Sequence, residues 1–169
     1  TQFRDNAEFA VSWEYSFGDG NFSNDQNPIY TFLTDGNHTV QQVVTNHLGC
    51  TDTLVQNVII YPNPTAIFTA DVACLSYPTS FENQSVDALH SQWIFDDLSS
   101  VSSEFSPTHI YSQDGTFNPV LIVENSFGCT DTISESITVL PQPIADFTNT
   151  TVCARDVVEF TNTSIGNPI

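Results

Sequence analysis

The sequence predicts an all-β protein built from tandem β-sandwiches, and three observations carry that prediction. The apolar content comes from β-prone residues, with 13 Phe, 5 Tyr and no Met among 169 residues, and no window spaces them as an amphipathic helix would. A pattern recurs every 78 or 79 residues, which marks copies of one structural unit. Finally, the best-patterned segments alternate in twos. Ile133, Ile137 and Val139 share one face of an extended chain, as do Leu54, Val58 and Ile60 one period earlier, so one face is buried and the other wet.

The repeat holds at residue level. Phe17 and Phe95 are 78 residues apart, while Pro28 and Pro107, Asp35-Gly36 and Asp114-Gly115, Asn46 and Asn125, and Gly49-Cys-Thr-Asp-Thr53 and Gly128-Cys-Thr-Asp-Thr132 are each 79 apart. Phe68, Cys74, Phe81, Asn83 and Ser85 return at the same distance as Phe147, Cys153, Phe160, Asn162 and Ser164. Two units of this size each lie near the lower limit for independent folding. Thr1–Ala7 aligns with Thr79–Ser85, and Val158–Ser164 matches the same strand again, so the chain reads as starting and stopping inside a unit. The expected divisions are 1–62, a domain lacking its first strand; 63–140, a complete domain; and 141–169, the first strands of a third, all in an elongated array.

In order, Tyr15-Ser-Phe-Gly-Asp-Gly20 reads as a strand running into a tight turn. Gly18 and Gly20 supply positive φ, and Asp19 accepts backbone hydrogen bonds there. Tyr61-Pro-Asn-Pro64 and Pro141-Gln-Pro143 are short, stiff linkers. In the complete unit, strands are expected over Ala66–Ala70, Thr79–Asn83 and Ser91–Phe95. A polar loop with an edge strand follows over Asp96–Thr108, and Tyr111 and Asp114-Gly115 turn the chain into Thr116–Asn125. Ser126-Phe-Gly128 reverses it into Thr130–Leu140. About seven short strands at this spacing make a sandwich.

Net charge is −18, with Arg4 and Arg155 the only Lys or Arg residues. Such a surface repels phosphate backbones and acidic lipids, so nucleic-acid and membrane partners are not expected. The lack of Lys also excludes Lys–Asn isopeptide crosslinks. Cys50, Cys74, Cys129 and Cys153 recur with the repeat and show no Cys-x-x-Cys spacing, which argues against zinc and for an oxidising, extracellular setting. His38, His47, His90 and His109 are scattered and fall in no catalytic motif, so no enzyme is expected. Asp96, Asp97 and Asp114 are weak calcium candidates, because hard cations take oxygen ligands. EF-hand spacing is absent, however, and turn-capping acids are the first reading. No other cofactor is expected.

These residues resemble the PKD domain family, an immunoglobulin-like β-sandwich whose pattern runs aromatic-x-Phe-Gly-Asp-Gly, Pro-x-His-x-Tyr, then Gly-x-Tyr-x-Val-x-Leu-x-Val-x-Asn. The matching elements are Tyr15–Gly20, Pro107-Thr-His109-Ile-Tyr111, and Gly115-Thr-Phe117 through Asn125, and the resemblance makes His109 structural. The Gly-Cys-Thr-Asp-Thr element looks like a subtype found in large surface adhesins and gliding-motility proteins of Bacteroidetes-type bacteria, secreted by the type IX route. Three departures stand out. Asp96-Asp97-Leu98 replaces Gly-Asp-Gly, so that turn is expected to differ in shape; Pro119 and Gln42 point to an irregular or edge-like segment.

Two cysteine pairings are open. Cys74–Cys129 staples the complete domain and leaves Cys50 and Cys153 to partners outside the chain; Cys50–Cys74 with Cys129–Cys153 crosses the linkers. The second needs the ends of a mostly extended segment to meet, so the first is the expectation. Asp52-Thr53-Leu54 and Asp131-Thr132-Ile133 resemble O-glycan attachment sites of such bacteria, which makes Thr53 and Thr132 candidates beside the plainer reading of a strand start with a capping Asp. The expected function is a non-enzymatic, extracellular stalk or filament of a cell-surface adhesin. Its expected partners are neighbouring repeats of the same chain and surface polysaccharide or other filament subunits. The alternative is a polysaccharide-binding or spacer accessory of a secreted hydrolase, with Phe22 or Phe127 stacking on sugar.

Overall fold

The computed structural model describes residues 1–4 and 9–166, and every regular element among them is a strand. The part of the N-terminal alignment that falls on Asp5, Asn6 and Ala7 lies outside the described residues. Contacts divide the chain into two compact units, Thr1–Pro62 and Asn63–Ile169.

The first unit contains β1 (Ala10–Ser16), β2 (Phe22–Ser23), β3 (Gly36–Asn46) and β4 (Thr51–Ile60), hydrogen-bonded in the order β2-β1-β3-β4. Tyr15, Phe17 and Val40 form its buried centre, with Phe3, Trp13, Tyr30, Phe32 and Val58 packed around them. Gln42 was expected to mark an irregular segment. Instead it sits in the middle of β3, the longest strand, paired to Tyr15 on one side and Leu54 on the other. Its amide tolerates that place because Nε2 donates to the Tyr15 hydroxyl at 2.8 Å. Leu54 lies on the face expected to be buried but is 60 % exposed.

The second unit continues with β5 (Phe68–Ala70), β6 (Ala73–Cys74), β7 (Pro78–Asn83), β8 (His90–Ile94), β9 (Thr108–Ile110), β10 (Gly115–Phe117), β11 (Val120–Glu124), β12 (Thr130–Ser134), β13 (Ile137–Leu140), β14 (Phe147–Asn149) and β15 (Phe160–Asn162). One layer is β5-β7-β9; the other consists of β12-β11-β8 and β10-β13-β6. Alternation makes the sandwich close. Thr79, Phe81 and Asn83 point inward from β7, Ser91 and Trp93 from β8, and Leu121 and Val123 from β11, as period-two patterning requires. Phe68, Phe81, Trp93, Phe95, Tyr111, Leu121, Val123 and Val139 fill the space between the layers.

The sequence did not announce β6, two residues that leave the first layer to pair in parallel with β13, Cys74 opposite Leu140. That crossing fixes the polarity of the module. The chain enters beside the β11–β12 hairpin, where Ala66 N–H donates to Asp131 Oδ2 at 2.8 Å. It leaves at the other end beside β6, where Leu75 N–H donates to Leu140 O at 2.9 Å. Pro119 is buried in the break between β10 and β11. β14 and β15 pair only with each other among the named strands.

Candidate functional site

The most elaborate polar arrangement is a turn bracketed by a stacked ring, and it is built twice. In the first unit Phe17 N–H donates to Asn21 O at 3.1 Å to close the turn, while Gly18 and Gly20 take φ of 82° and 93°. Asp19 Oδ1 accepts the Asn21 N–H at 3.1 Å, and Asp19 Oδ2 accepts the Tyr30 hydroxyl at 2.6 Å. The Tyr30 ring lies on Phe17 with centroids 3.9 Å apart and planes 4° off parallel. The hydrogen bond from Tyr30 holds the Asp19 carboxyl below its ordinary range and, reciprocally, pushes the phenol up.

In the second unit the same parts recur with different side chains. Asp97 Oδ1 accepts the Ser99 N–H at 3.1 Å, and Asp97 Oδ2 accepts from His109 Nε2 at 2.7 Å. The His109 ring stacks on Phe95 at 3.9 Å and 1°. Burial works to raise the Asp97 pKa, but the bonds from Ser99 and His109 outweigh it and the carboxyl is held low. The expectation that this turn differs in shape is corrected here. Asp96 and Leu98 both take φ of 64°, the left-handed sign of the two glycines they replace. Asp96 is tied down as Asp96 Oδ2 accepts the Asn118 N–H at 2.9 Å. Sequence reasoning missed that Tyr30 and His109 do one job, although they are 79 residues apart.

A second repeated device holds the cysteine hairpin. Asn46 Oδ1 accepts the N–H groups of Leu48 and Cys50 at 2.9 and 3.0 Å, and Asn125 Oδ1 accepts those of Phe127 and Cys129 at 2.9 and 3.0 Å. Gly49 and Gly128 supply φ of 82° and 80° at the reversal.

All four cysteines are free thiols, with Cys50, Cys74 and Cys153 exposed and Cys129 half-buried. The expected Cys74–Cys129 staple is contradicted by register. Cys74 lies opposite Leu140, whereas Cys129 precedes Thr130 at the other end of the same stretch. Ten residue steps separate Thr130 from Leu140, about 30 Å of extended chain, and a disulfide spans Cα atoms no more than about 7 Å apart.

The calcium candidates are not brought together. Asp96 is spent on Asn118 and Asp97 on Ser99 and His109, and among the described residues no three His, Cys, Asp or Glu side chains are grouped to hold a metal. Thr53 and Thr132 are exposed on β4 and β12, each at the edge of its sheet. Asp131 is engaged in anchoring Ala66, and that backbone bond holds its carboxyl low. Phe22, on β2, and Phe127, in the turn between β11 and β12, are both solvent-exposed. His38 Nε2 lies 2.9 Å from Thr34 O, a loop contact. The arrangement positions turns and hairpins; no nucleophile, base and oxyanion donors converge among the described residues.

The sequence matches the PKD domain family twice, over residues 1–60 and 62–139. Solved structures similar to it include the PKD1 domain of Vibrio anguillarum Epp, at 26 % identity and a TM-score of 0.43 over 46 % of this chain and 94 % of that one. Another is the PKD1 domain of the Vibrio cholerae metalloprotease PrtV, at 27 % identity and 0.42 over 46 % and 98 %.

Proposed function

The chain belongs to the PKD domain family, and from that premise we propose that it is a length of the stalk or filament of a bacterial cell-surface adhesin, of the kind used in gliding and exported by the type IX route. PKD domains are non-catalytic immunoglobulin-like modules. The observation that carries the reading is repetition. One bracketed turn and one capped hairpin are built in both copies, and each copy buries an aromatic centre of its own. Length obtained by copying a self-sufficient unit is how repeat proteins project a surface or a tip.

Charge supports the same reading. A net charge of −18 keeps neighbouring stalks apart and in solution. Neighbouring repeats are the first partners, with surface polysaccharide or other filament subunits beyond them. Thr53 and Thr132 are exposed on edge strands, which supports reading them as O-glycan sites, and added bulk there would also block edge-to-edge pairing.

The test is made on cells of the producing organism. An antibody raised against this chain should label intact cells as strongly as permeabilised ones. Deleting one repeat from the encoding gene should shorten the surface projections seen by electron microscopy. Labelling that appears only after permeabilisation contradicts the proposal.

A further inference from the structure

We propose that the cysteines form disulfides between successive modules rather than within one. The thiol at the C-terminal pole of a module, Cys74 or Cys153, is bridged to the hairpin thiol of the copy that follows, the counterpart of Cys50 or Cys129. The inference rests on the reading above only for its oxidising setting.

The two thiols of one module are at opposite poles, a strand length apart, as the pairing of Cys74 with Leu140 and the position of Cys129 before Thr130 require. The same two kinds of thiol are brought close by the path of the chain from one copy to the next. Leu140, the register partner of Cys74, is followed by Pro141-Gln-Pro-Ile144 and then Ala145, which is the counterpart of Ala66 at the 79-residue repeat. In the complete module Ala66 N–H is bonded to the side chain of Asp131, two residues beyond Cys129. Only five chain steps therefore separate the neighbour of one thiol from the anchor point of the next copy's hairpin thiol, about 16 Å even when fully extended.

Both ends are shaped for the meeting. At the C-terminal pole Val72, Cys74, Tyr77, Pro78, Pro141 and Pro143 line an open groove of about 360 Å³, and Gln142 Nε2 donates to Leu75 O at 2.9 Å, holding the linker against the loop that carries Cys74. At the N-terminal pole the hairpin tip presents an exposed apolar side chain two residues before the thiol, Leu48 in one copy and Phe127 in the other. The occupant of the groove is this tip from the following copy. A capped turn and a glycine at positive φ hold the hairpin thiol in one place in both copies.

Each bridge forms as two thiols release two protons and two electrons and one S–S bond is made. The electrons reduce a disulfide of a thiol–disulfide oxidoreductase, or of a small-molecule disulfide, to two thiols. An exposed thiol left unpaired in an oxidising compartment is a liability, and stapling removes one at each junction.

The experiment completes the third module. Residues 87–140 are copied onto the full chain after Ile165, whose counterpart is Val86, and the product is refolded in an oxidised and reduced glutathione buffer and mapped by non-reducing peptide mass spectrometry. The expected result is one intrachain bridge, from Cys74 to the copied Cys129, with Cys50, Cys129 and Cys153 still titratable; Cys74→Ser should abolish the bridge and leave the rest unchanged. The unextended chain, treated alike, should keep all four thiols free within the monomer. A Cys74–Cys129 or Cys50–Cys74 bond within the unextended monomer overturns the proposal, as does a free Cys74 in the extended chain. Either failure leaves the surface-labelling result untouched, so the two proposals are separated.

Discussion

The Gly-Asp-Gly turn of the first unit and the Asp-Asp-Leu turn of the second have the same backbone signs but opposite requirements. A Cβ on Gly18 falls 2.5 Å from Thr39 O, because β3 runs unbroken past the turn. In the second unit the counterpart of Thr39 is Asn118, in the gap between β10 and β11. There Asp96 carries a full side chain and receives the Asn118 N–H. Loss of the glycine and breakage of the strand are thus one compensated change. A turn can shed its glycines when its neighbour yields and supplies a hydrogen bond in return.

Substitutions in the two turns test that account. The largest effect is expected from Gly18→Ala, which places a methyl against a backbone carbonyl at φ 82° and should cost the first unit about 3 kcal/mol. Asp96→Ala should cost the second unit only about 1 kcal/mol, for the exposed bonds its carboxylate accepts from Asn118 N–H and Nδ2. Hydrogen exchange read by mass spectrometry resolves the units in one sample. Equal losses at the two sites would break the comparison.

His109→Ala removes both the stack on Phe95 and the bond to Asp97, and should destabilise the second unit by about 1–2 kcal/mol. Tyr30→Phe keeps the stack and loses the hydroxyl's exposed bonds, the one donated to Asp19 and the one accepted from Asn21 Nδ2, so its loss should be the smaller in the same assay.

Acid should weaken both brackets. The folded-state pKa values of Asp19 and Asp97 are depressed. Their contribution is therefore present above the ordinary carboxyl range, about 4, and lost as pH falls through the lower folded values. Asp19→Asn and Asp97→Asn should flatten the acid limb of urea midpoints for the first and second unit respectively. An unchanged limb argues against the bracket.

The smallest effect has the opposite sign. Leu98 is fully exposed at φ 64°, and Leu98→Gly should stabilise the second unit by about 0.5–1 kcal/mol, as the relief of left-handed strain exceeds the added freedom of the unfolded chain. A loss on this substitution would show that the leucine is needed at the turn.

The alternation of Ile133, Ile137 and Val139 and the repeat made the sandwich and its copies legible in the sequence, because period two and self-similarity are direct traces of strand burial and duplication. The bracket was only half legible. Asp19 and its glycines were read as a turn, but the tyrosine and histidine that close it resemble each other only as planar donors, and chemical likeness is not residue identity. Gln42 looked like a defect because its partner, the Tyr15 hydroxyl, is 27 residues away in sequence. The cysteine pairing failed for a topological reason. Chain separation says nothing of which pole a thiol occupies, and the two-residue crossing at Ala73–Cys74 that decides it is too short to carry a pattern.

A crystal structure of the full chain tests the central claim, that both copies build one turn bracket by different means, most directly. Superimposed on Phe17 and Phe95, it should show Tyr30 and His109 stacked in the same place at about 3.9 Å, each bonded to its turn aspartate, with Asp96 and Leu98 at positive φ. A negative φ at Leu98, or His109 turned away from Asp97, would contradict it.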